Sequence, residues 1–86
     1  MLRIRKFVDG QLVVLALSGR VEADNLPQLE SLIKAERSPI VLDLKEVSLI
    51  AREVAVVLGR YEHEGIVLRD CPAFIRAWIV KEQDRK

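Results

Sequence analysis

The chain of 86 residues has few of the residues that most often carry chemistry: one histidine, one cysteine and no threonine. A single cysteine cannot form an internal disulfide, which excludes a disulfide-stabilised scaffold and favours a reducing, cytoplasmic compartment. No apolar run approaches the ~20 residues that span a bilayer, and we expect no membrane span. The first residues alternate charged and apolar side chains, unlike the apolar segment of a signal peptide.

Charge of one sign is not in excess either. Lys and Arg number 14 against 13 Asp and Glu, so the formal net charge is +1. A chain this balanced has no overall attraction for phosphate backbones, which excludes a general nucleic-acid binder. Half of the residues are hydrophobic and 31% are charged, which is typical of a folded globular chain. We therefore expect one domain over residues 1–86.

The apolar pattern first predicts two strands joined by a hairpin. Residues 2–9 largely alternate apolar and charged side chains, with Lys6 and Phe7 breaking the pattern, which is typical of a strand at the edge of a sheet. Asp9 and Gly10 offer a two-residue turn, because glycine adopts positive φ at no steric cost. Leu12–Leu17 is apolar at every position, which predicts a central strand buried on both faces.

The rest of the pattern predicts alternating helices and strands. The expected elements are a helix over 22–36, a buried strand Ile40–Leu44 followed by a loop at Lys45-Glu46, a helix carrying Val54, Val57, Leu58 and Tyr61, a short strand Ile66–Leu68, and a helix that starts at Pro72 and buries Phe74, Ile75 and Trp78. Right-handed crossovers make strands two to four parallel. The fold class is therefore α/β, with a mixed four-stranded sheet built from an N-terminal antiparallel hairpin followed by βαβαβα crossovers. If all helices lie on one side, the other sheet face is exposed and favours a partner, including a second copy of the chain.

Candidate catalytic residues are few. His63 lies between Glu62 and Glu64, but consecutive helical residues point about 100° apart and cannot converge on one metal ion. Cys71 lies near the start of the last helix, a location that lowers the pKa of a thiol. Asp43 ends a buried strand, where α/β enzymes often keep a carboxylate. We predict no enzyme activity, no catalytic residue, no metal site and no cofactor. A small-ligand domain that uses Asp43, Cys71 or His63 remains the alternative.

Several ordered segments resemble a known family. They are Leu15-Ala16-Leu17-Ser18-Gly19-Arg20, then Asn25-Leu26-Pro27 with Leu29, then Ile40-Val41-Leu42-Asp43-Leu44-Lys45-Glu46-Val47-Ser48-Leu49-Ile50, and later Leu58-Gly59-Arg60-Tyr61, Gly65-Ile66-Val67-Leu68 and Pro72-Ala73-Phe74-Ile75. In this order and spacing they resemble the STAS domain, the family of the bacterial anti-sigma factor antagonists and of the cytoplasmic tails of sulfate transporters. The resemblance covers about residues 10 to 80 and implies the same α/β fold.

The resemblance also implies a contact site. In the antagonists an Asp-Ser-Ser/Thr-Gly turn opens the second helix, and a hydroxyl there accepts phosphate from a kinase. The corresponding residues here are Ala51, Arg52, Glu53 and Val54, which offer no phosphoacceptor, and Ser48 lies before the helix. The resemblance thus implies a cytoplasmic protein–protein interaction module of signalling and transcription regulation, which binds an anti-sigma factor, a kinase-like protein or another regulator without phosphorylation control. Some branches of the family are linked to nucleotide or lipid binding, which is the alternative function.

Overall fold

The computed structural model describes residues 2–84. Its elements are β1 (Leu2–Asp9), β2 (Leu12–Val21), a short 3-10 helix (Ala23–Asn25), α1 (Leu26–Lys34), β3 (Ile40–Ile50), α2 (Arg52–His63), β4 (Val67–Arg69) and α3 (Ala73–Gln83). The strands form one sheet in the order β1-β2-β3-β4, in which β1 is antiparallel to β2 and the other pairs are parallel. The α/β class with a mixed four-stranded sheet is confirmed. No helix within residues 2–84 is long and apolar enough to cross a membrane.

The three α-helices cover the same face of the sheet. The crossovers from β2 to β3 and from β3 to β4 step in one direction, and right-handed crossovers then place α1 and α2 on one side. Leu15 and Leu17 of β2 pack in a single buried cluster with Leu29 of α1, Leu58 of α2 and Ile75 of α3. The core of the domain is therefore the layer between the sheet and its helices.

The opposite sheet face carries an apolar row. Because side chains alternate along a strand, the residues between the core positions point away from the helices. The register aligns one such residue from each strand across the sheet: Phe7, Val14, Val41 and Val67. Val14 and Val41 are buried at the centre of this row, whereas Phe7 and Val67 at its ends are 43% and 56% exposed. We call these four residues the open-face row.

The hairpin between β1 and β2 is shifted by one residue from the prediction. Asp9 pairs with Leu12, so the two loop residues are Gly10 and Gln11 rather than Asp9 and Gly10. Gly10 takes the positive φ of 63°, which is the requirement that glycine meets without strain. Asp9 therefore remains a strand residue whose side chain belongs to the open face.

The predicted loop at Lys45-Glu46 is wrong, because β3 continues through it. Ala16 pairs with Asp43 but Ser18 pairs with Glu46, so β3 carries one extra residue here and forms a bulge, and a second register shift follows between Gly19 and Arg20. Oδ1 of Asp43 accepts a hydrogen bond of 3.0 Å from the backbone N–H of Lys45 within the bulge. The strand then runs on to Ile50 and carries the chain directly to the start of α2.

Helix α3 lies antiparallel to α2 and close to it. Arg76 near the start of α3 bonds both carboxylate oxygens of Glu62 near the end of α2, at 2.8 and 3.0 Å. A Cβ atom on Gly59 would lie 3.4 Å from Cγ2 of Ile79, so the glycine permits this approach. The two helices thus form one unit that is held along its length.

The predicted burial of α3 is partly wrong. Ile75 and Ile79 enter the core, and Trp78 packs against its edge. Nζ of Lys81 lies 5.5 Å from the ring centroid of Trp78. Phe74, however, is among the exposed hydrophobic side chains, because it precedes Ile75 by about 100° around the helix and so turns outward.

The candidate contact site at the entrance to α2

Backbone hydrogen bonds fix the point where the chain passes from β3 into α2. Ile50 is buried, and Ala51 is extended at φ −78° and ψ 159° before the helix begins at Arg52. The N–H of Ala51 donates to the carbonyl of Val21 at 3.0 Å, which ties the junction to the end of β2. The carbonyl of Ala51 accepts from the N–H of Val54 at 3.0 Å and so closes the first helical turn. The entrance is therefore rigidly attached to the sheet.

The four residues singled out in the sequence divide between surface and core. Arg52 and Glu53 are exposed, and Ala51 is half-buried. Val54 is fully buried in the core and contributes packing rather than surface. The surface part of the candidate site is therefore Ala51, Arg52 and Glu53.

Arg52 also holds α3. Its Nε donates to Oε1 of Glu82 at 3.1 Å, and the side chain of Glu82 is only 6% exposed. A carboxylate this far from water needs a cationic or hydrogen-bonding partner. Because a guanidinium has five N–H donors and Arg52 is largely exposed, it can bind Glu82 and still present donors to solvent.

An exposed apolar residue of α2 belongs to the same surface and was missed by the sequence reasoning. Val56 is 52% exposed, whereas the equally exposed Leu49 precedes the buried Ile50 on β3 and so points away from the helices. Val56 follows Arg52 by four residues and Glu53 by three, so it lies on their side of the helix. In the sequence, the exposure of Val56 was indicated only by its position outside the apolar helix face that Val54, Leu58 and Tyr61 form. We call Ala51, Arg52, Glu53 and Val56 the α2-entrance surface.

An open groove between α2 and α3 borders this surface. It has a volume of about 490 Å³ and is lined by Val56, Gly59 and His63 of α2 and by Ile79 and Glu82 of α3, among others. Its lining is mainly apolar and includes the charged Arg60 and Glu82. Val56 belongs to both the groove and the α2-entrance surface, and Glu82 of the groove binds Arg52 of that surface. The groove therefore continues the α2-entrance surface.

The residues considered for catalysis do not come together. Asp43 belongs to the open face of the sheet, whereas His63 is on α2, which covers the other face. The carboxylate of Glu62 beside His63 is bonded to Arg76. Within residues 2–84, no three His, Cys, Asp or Glu side chains group to hold a metal ion.

Cys71 differs from the expectation of an activated thiol. It is half-buried before α3, and its Sγ donates to the carbonyl of Pro72 at 3.7 Å. Burial raises the pKa of the Cys71 thiol above its ordinary value, and the nearby Arg76 lowers it by less. Desolvation therefore opposes the lowering of the pKa that the position near the helix start predicts.

A second groove, of about 440 Å³, lies between α1 and α2 and contains one unusual group. Tyr61 lines it, and its buried hydroxyl has no hydrogen-bond partner within residues 2–84. Burial, more than the nearby Glu30, raises the pKa of Tyr61. The guanidinium of Arg60 lies 5.7 Å from the Tyr61 ring centroid and donates to Oε1 of Glu30 at 3.1 Å. Charged and polar groups therefore meet at this groove.

Comparison with known proteins identifies the fold. No family model matches the chain, and no curated protein matches it. The chain is similar to a solved structure described as "Crystal Structure Analysis of Mglu", with 21% identity and a TM-score of 0.59. The match covers 80% of this chain and 19% of that chain, so the present chain spans about a fifth of the other's length. At this identity the likeness shows a shared α/β fold alone.

Proposed function

We propose that the chain is a non-enzymatic, cytoplasmic protein–protein interaction module of STAS type, which binds a regulatory protein through the α2-entrance surface. The resembled family suggests an anti-sigma factor or kinase-like protein in a partner-switching pathway as the partner. One observation carries the proposal: the exposed Val56 accompanies the exposed charges of Arg52 and Glu53 on a rigid junction.

The composition of this surface supports protein contact. Apolar side chains surrounded by charged ones give an interface both desolvation energy and specificity. Arginine is enriched among the residues that contribute most to binding, and Arg52 is already oriented by Glu82. A pre-ordered side chain loses less entropy on binding, which raises affinity for a given contact area.

The charges at the entrance support binding without phosphorylation control. Glu53 lies in the first turn of α2, where the helix dipole favours a negative charge. A phosphate at such a position would add about two negative charges and could be removed again. Glu53 supplies one permanent charge instead, so the surface has a single binding state.

A pair of matched valine substitutions tests the proposal. Val56 on α2 and Val80 on α3 are 52% and 48% exposed, so replacing either with aspartate perturbs a similar helix surface. Immobilised wild-type protein, V56D and V80D are compared for the host proteins that they retain, by quantitative mass spectrometry. We expect V56D to lose a specific partner about tenfold or more while V80D keeps it. If V56D and V80D retained the partner equally, the contact would not lie at this surface of α2.

A small-ligand domain, for a nucleotide or a lipid, is the second candidate, and the unpartnered Tyr61 hydroxyl beside the α1–α2 groove favours it. A ligand at ~100 times its dissociation constant would add about 2.7 kcal/mol to the free energy of unfolding. A thermal-shift series with nucleotides and lipid headgroups, repeated on Y61F, separates the two functions. The interaction module predicts no shift with either protein.

A further inference from the structure

The open face of the sheet has charges on both sides of its apolar row. In the register, the next row toward the carboxyl end of β2 contains Arg5 of β1, Asp43 of β3 and Arg69 of β4. On the other side of Phe7, the open-face residue of β1 is Asp9. The β1 edge of this face is therefore positive on one side of the row and negative on the other.

Arg5 and Asp9 do not neutralise each other within one chain. They are four residues apart on a strand, which separates their Cα atoms by about 13 Å. Neither takes part in an ion pair within residues 2–84, whereas Lys6 on the helix-covered side pairs with Glu36. Two opposite charges thus stand unpaired at equal distances from the apolar row.

We propose that a second copy of this chain covers the open face, in a two-fold dimer whose axis runs along the open-face row, across the strands. With this symmetry, each strand faces the same strand of the partner, and residues on one side of the row face residues on the other side of the partner's row. Arg5 then meets the partner's Asp9, and Asp9 meets the partner's Arg5. Phe7 and Val67, the exposed ends of the row, then each lie near their own symmetry mate, while Val14 and Val41 between them are already shielded from solvent within each chain.

The charges also exclude the other simple face-to-face arrangement. A two-fold axis parallel to the strands would place β1 over the partner's β4. Arg5 would then meet the partner's Arg69 twice in each dimer, because both occupy the same row of the sheet. Like charges opposed in an interface cost several kcal/mol, so the axis along the row is selected.

The size of the face fixes the strength of the association. The four strands have 8, 10, 11 and 3 residues, so at about 4.8 Å spacing and a mean length of about 26 Å they present roughly 500 Å² in projection. Stable interfaces bury about 800 Å² on each partner, so this face gives a weak, concentration-dependent dimer in the micromolar range. The open face lies on the opposite side of the sheet from α2, and the dimer does not depend on the proposed function.

Charge exchange at Arg5 and Asp9 tests the symmetry directly by sedimentation equilibrium. In an R5D dimer, the new carboxylate at position 5 of each chain faces Asp9 of the other chain. In a D9R dimer, the new guanidinium at position 9 of each chain faces Arg5 of the other chain. We expect each variant to raise the dimer dissociation constant about tenfold or more. An equal mixture of R5D and D9R has only opposite charges in the mixed dimer, and we expect it to restore association, as we expect for the double variant R5D/D9R.

Controls separate this result from altered folding and from the proposed function. R37D changes an exposed arginine in the α1–β3 connection and should leave the dimer unchanged. V56D should also leave it unchanged, because Val56 is on the helix side. Circular dichroism and thermal melting check that each variant is folded. A wild-type chain that stays monomeric up to millimolar concentration, single variants that associate like wild type, or a mixture that fails to associate would each overturn the proposal.

Discussion

At the scale of single residues, the clearest electrostatic feature is the two-bond contact between Arg76 and Glu62. Hydrogen bonding from Arg76 lowers the pKa of Glu62, and partial burial opposes this to a smaller extent. The folded state therefore binds a proton at Glu62 less readily than the unfolded chain. The resulting stability is present above the ordinary glutamate pKa and is lost as the pH falls through the lowered one.

We expect E62Q to remove that pH-dependent contribution. Both side chains are more than one-third exposed and solvent screens them, so the loss at pH 7 stays below about 1 kcal/mol. Urea unfolding between pH 7 and pH 3 should show a shallower decline for E62Q than for wild type. E64Q is the control, since Glu64 only approaches Arg60 at 4.0 Å. Parallel curves for E62Q and wild type would contradict the assignment.

At the scale of elements, the sequence predicted order, type and pairing better than boundaries. Periodic apolar residues identified α2, and the continuous run from Leu12 identified the central strand. The β3 bulge was not predictable, because Lys45 and Glu46 are polar and only pairing with Ser18 keeps them in the strand. The outward turn of Phe74 likewise depends on where α3 begins, and a shift of one residue moves a side chain about 100°.

The candidate site was located by sequence only in part. The expected position of Arg52 and Glu53 at the entrance to the second helix followed from the resemblance to the STAS domain, whereas helical periodicity indicated only the buried side of that helix. The ion pair from Arg52 to Glu82 joins residues 30 apart, and nothing local in the sequence indicates it. The α2–α3 groove depends on the same long-range packing and was not predicted.

Removal of one partner of the Arg52–Glu82 pair should loosen α3 from the start of α2. R52A leaves the nearly buried Glu82 carboxylate without its cation, and we expect a loss of about 1–2 kcal/mol in the free energy of unfolding. The double variant R52A/E82Q removes the orphaned charge and should recover part of that loss. Chemical denaturation of wild type, R52A, E82Q and R52A/E82Q gives the coupling energy. A coupling energy near zero would show that the pair contributes nothing to helix packing.

At the scale of the whole molecule, the sheet separates two surfaces with different chemistry. The helix side presents the α2-entrance surface and the α2–α3 groove, and the far side presents the open-face row between unpaired charges. A domain of this arrangement can bind a regulator on one side while a second copy covers the other. Neither surface needs a conformational change to be accessible.

The most direct test of this account is a titration of isotope-labelled protein with the partner retained in the V56D and V80D comparison, followed by amide chemical shifts. We predict that the largest changes fall between residues 51 and 56 and along the adjoining α2–α3 groove, with little change at Phe7, Val14 and Val41. Changes concentrated on the open face, or around Glu30 and Tyr61, would contradict an interaction module that acts through the entrance to α2.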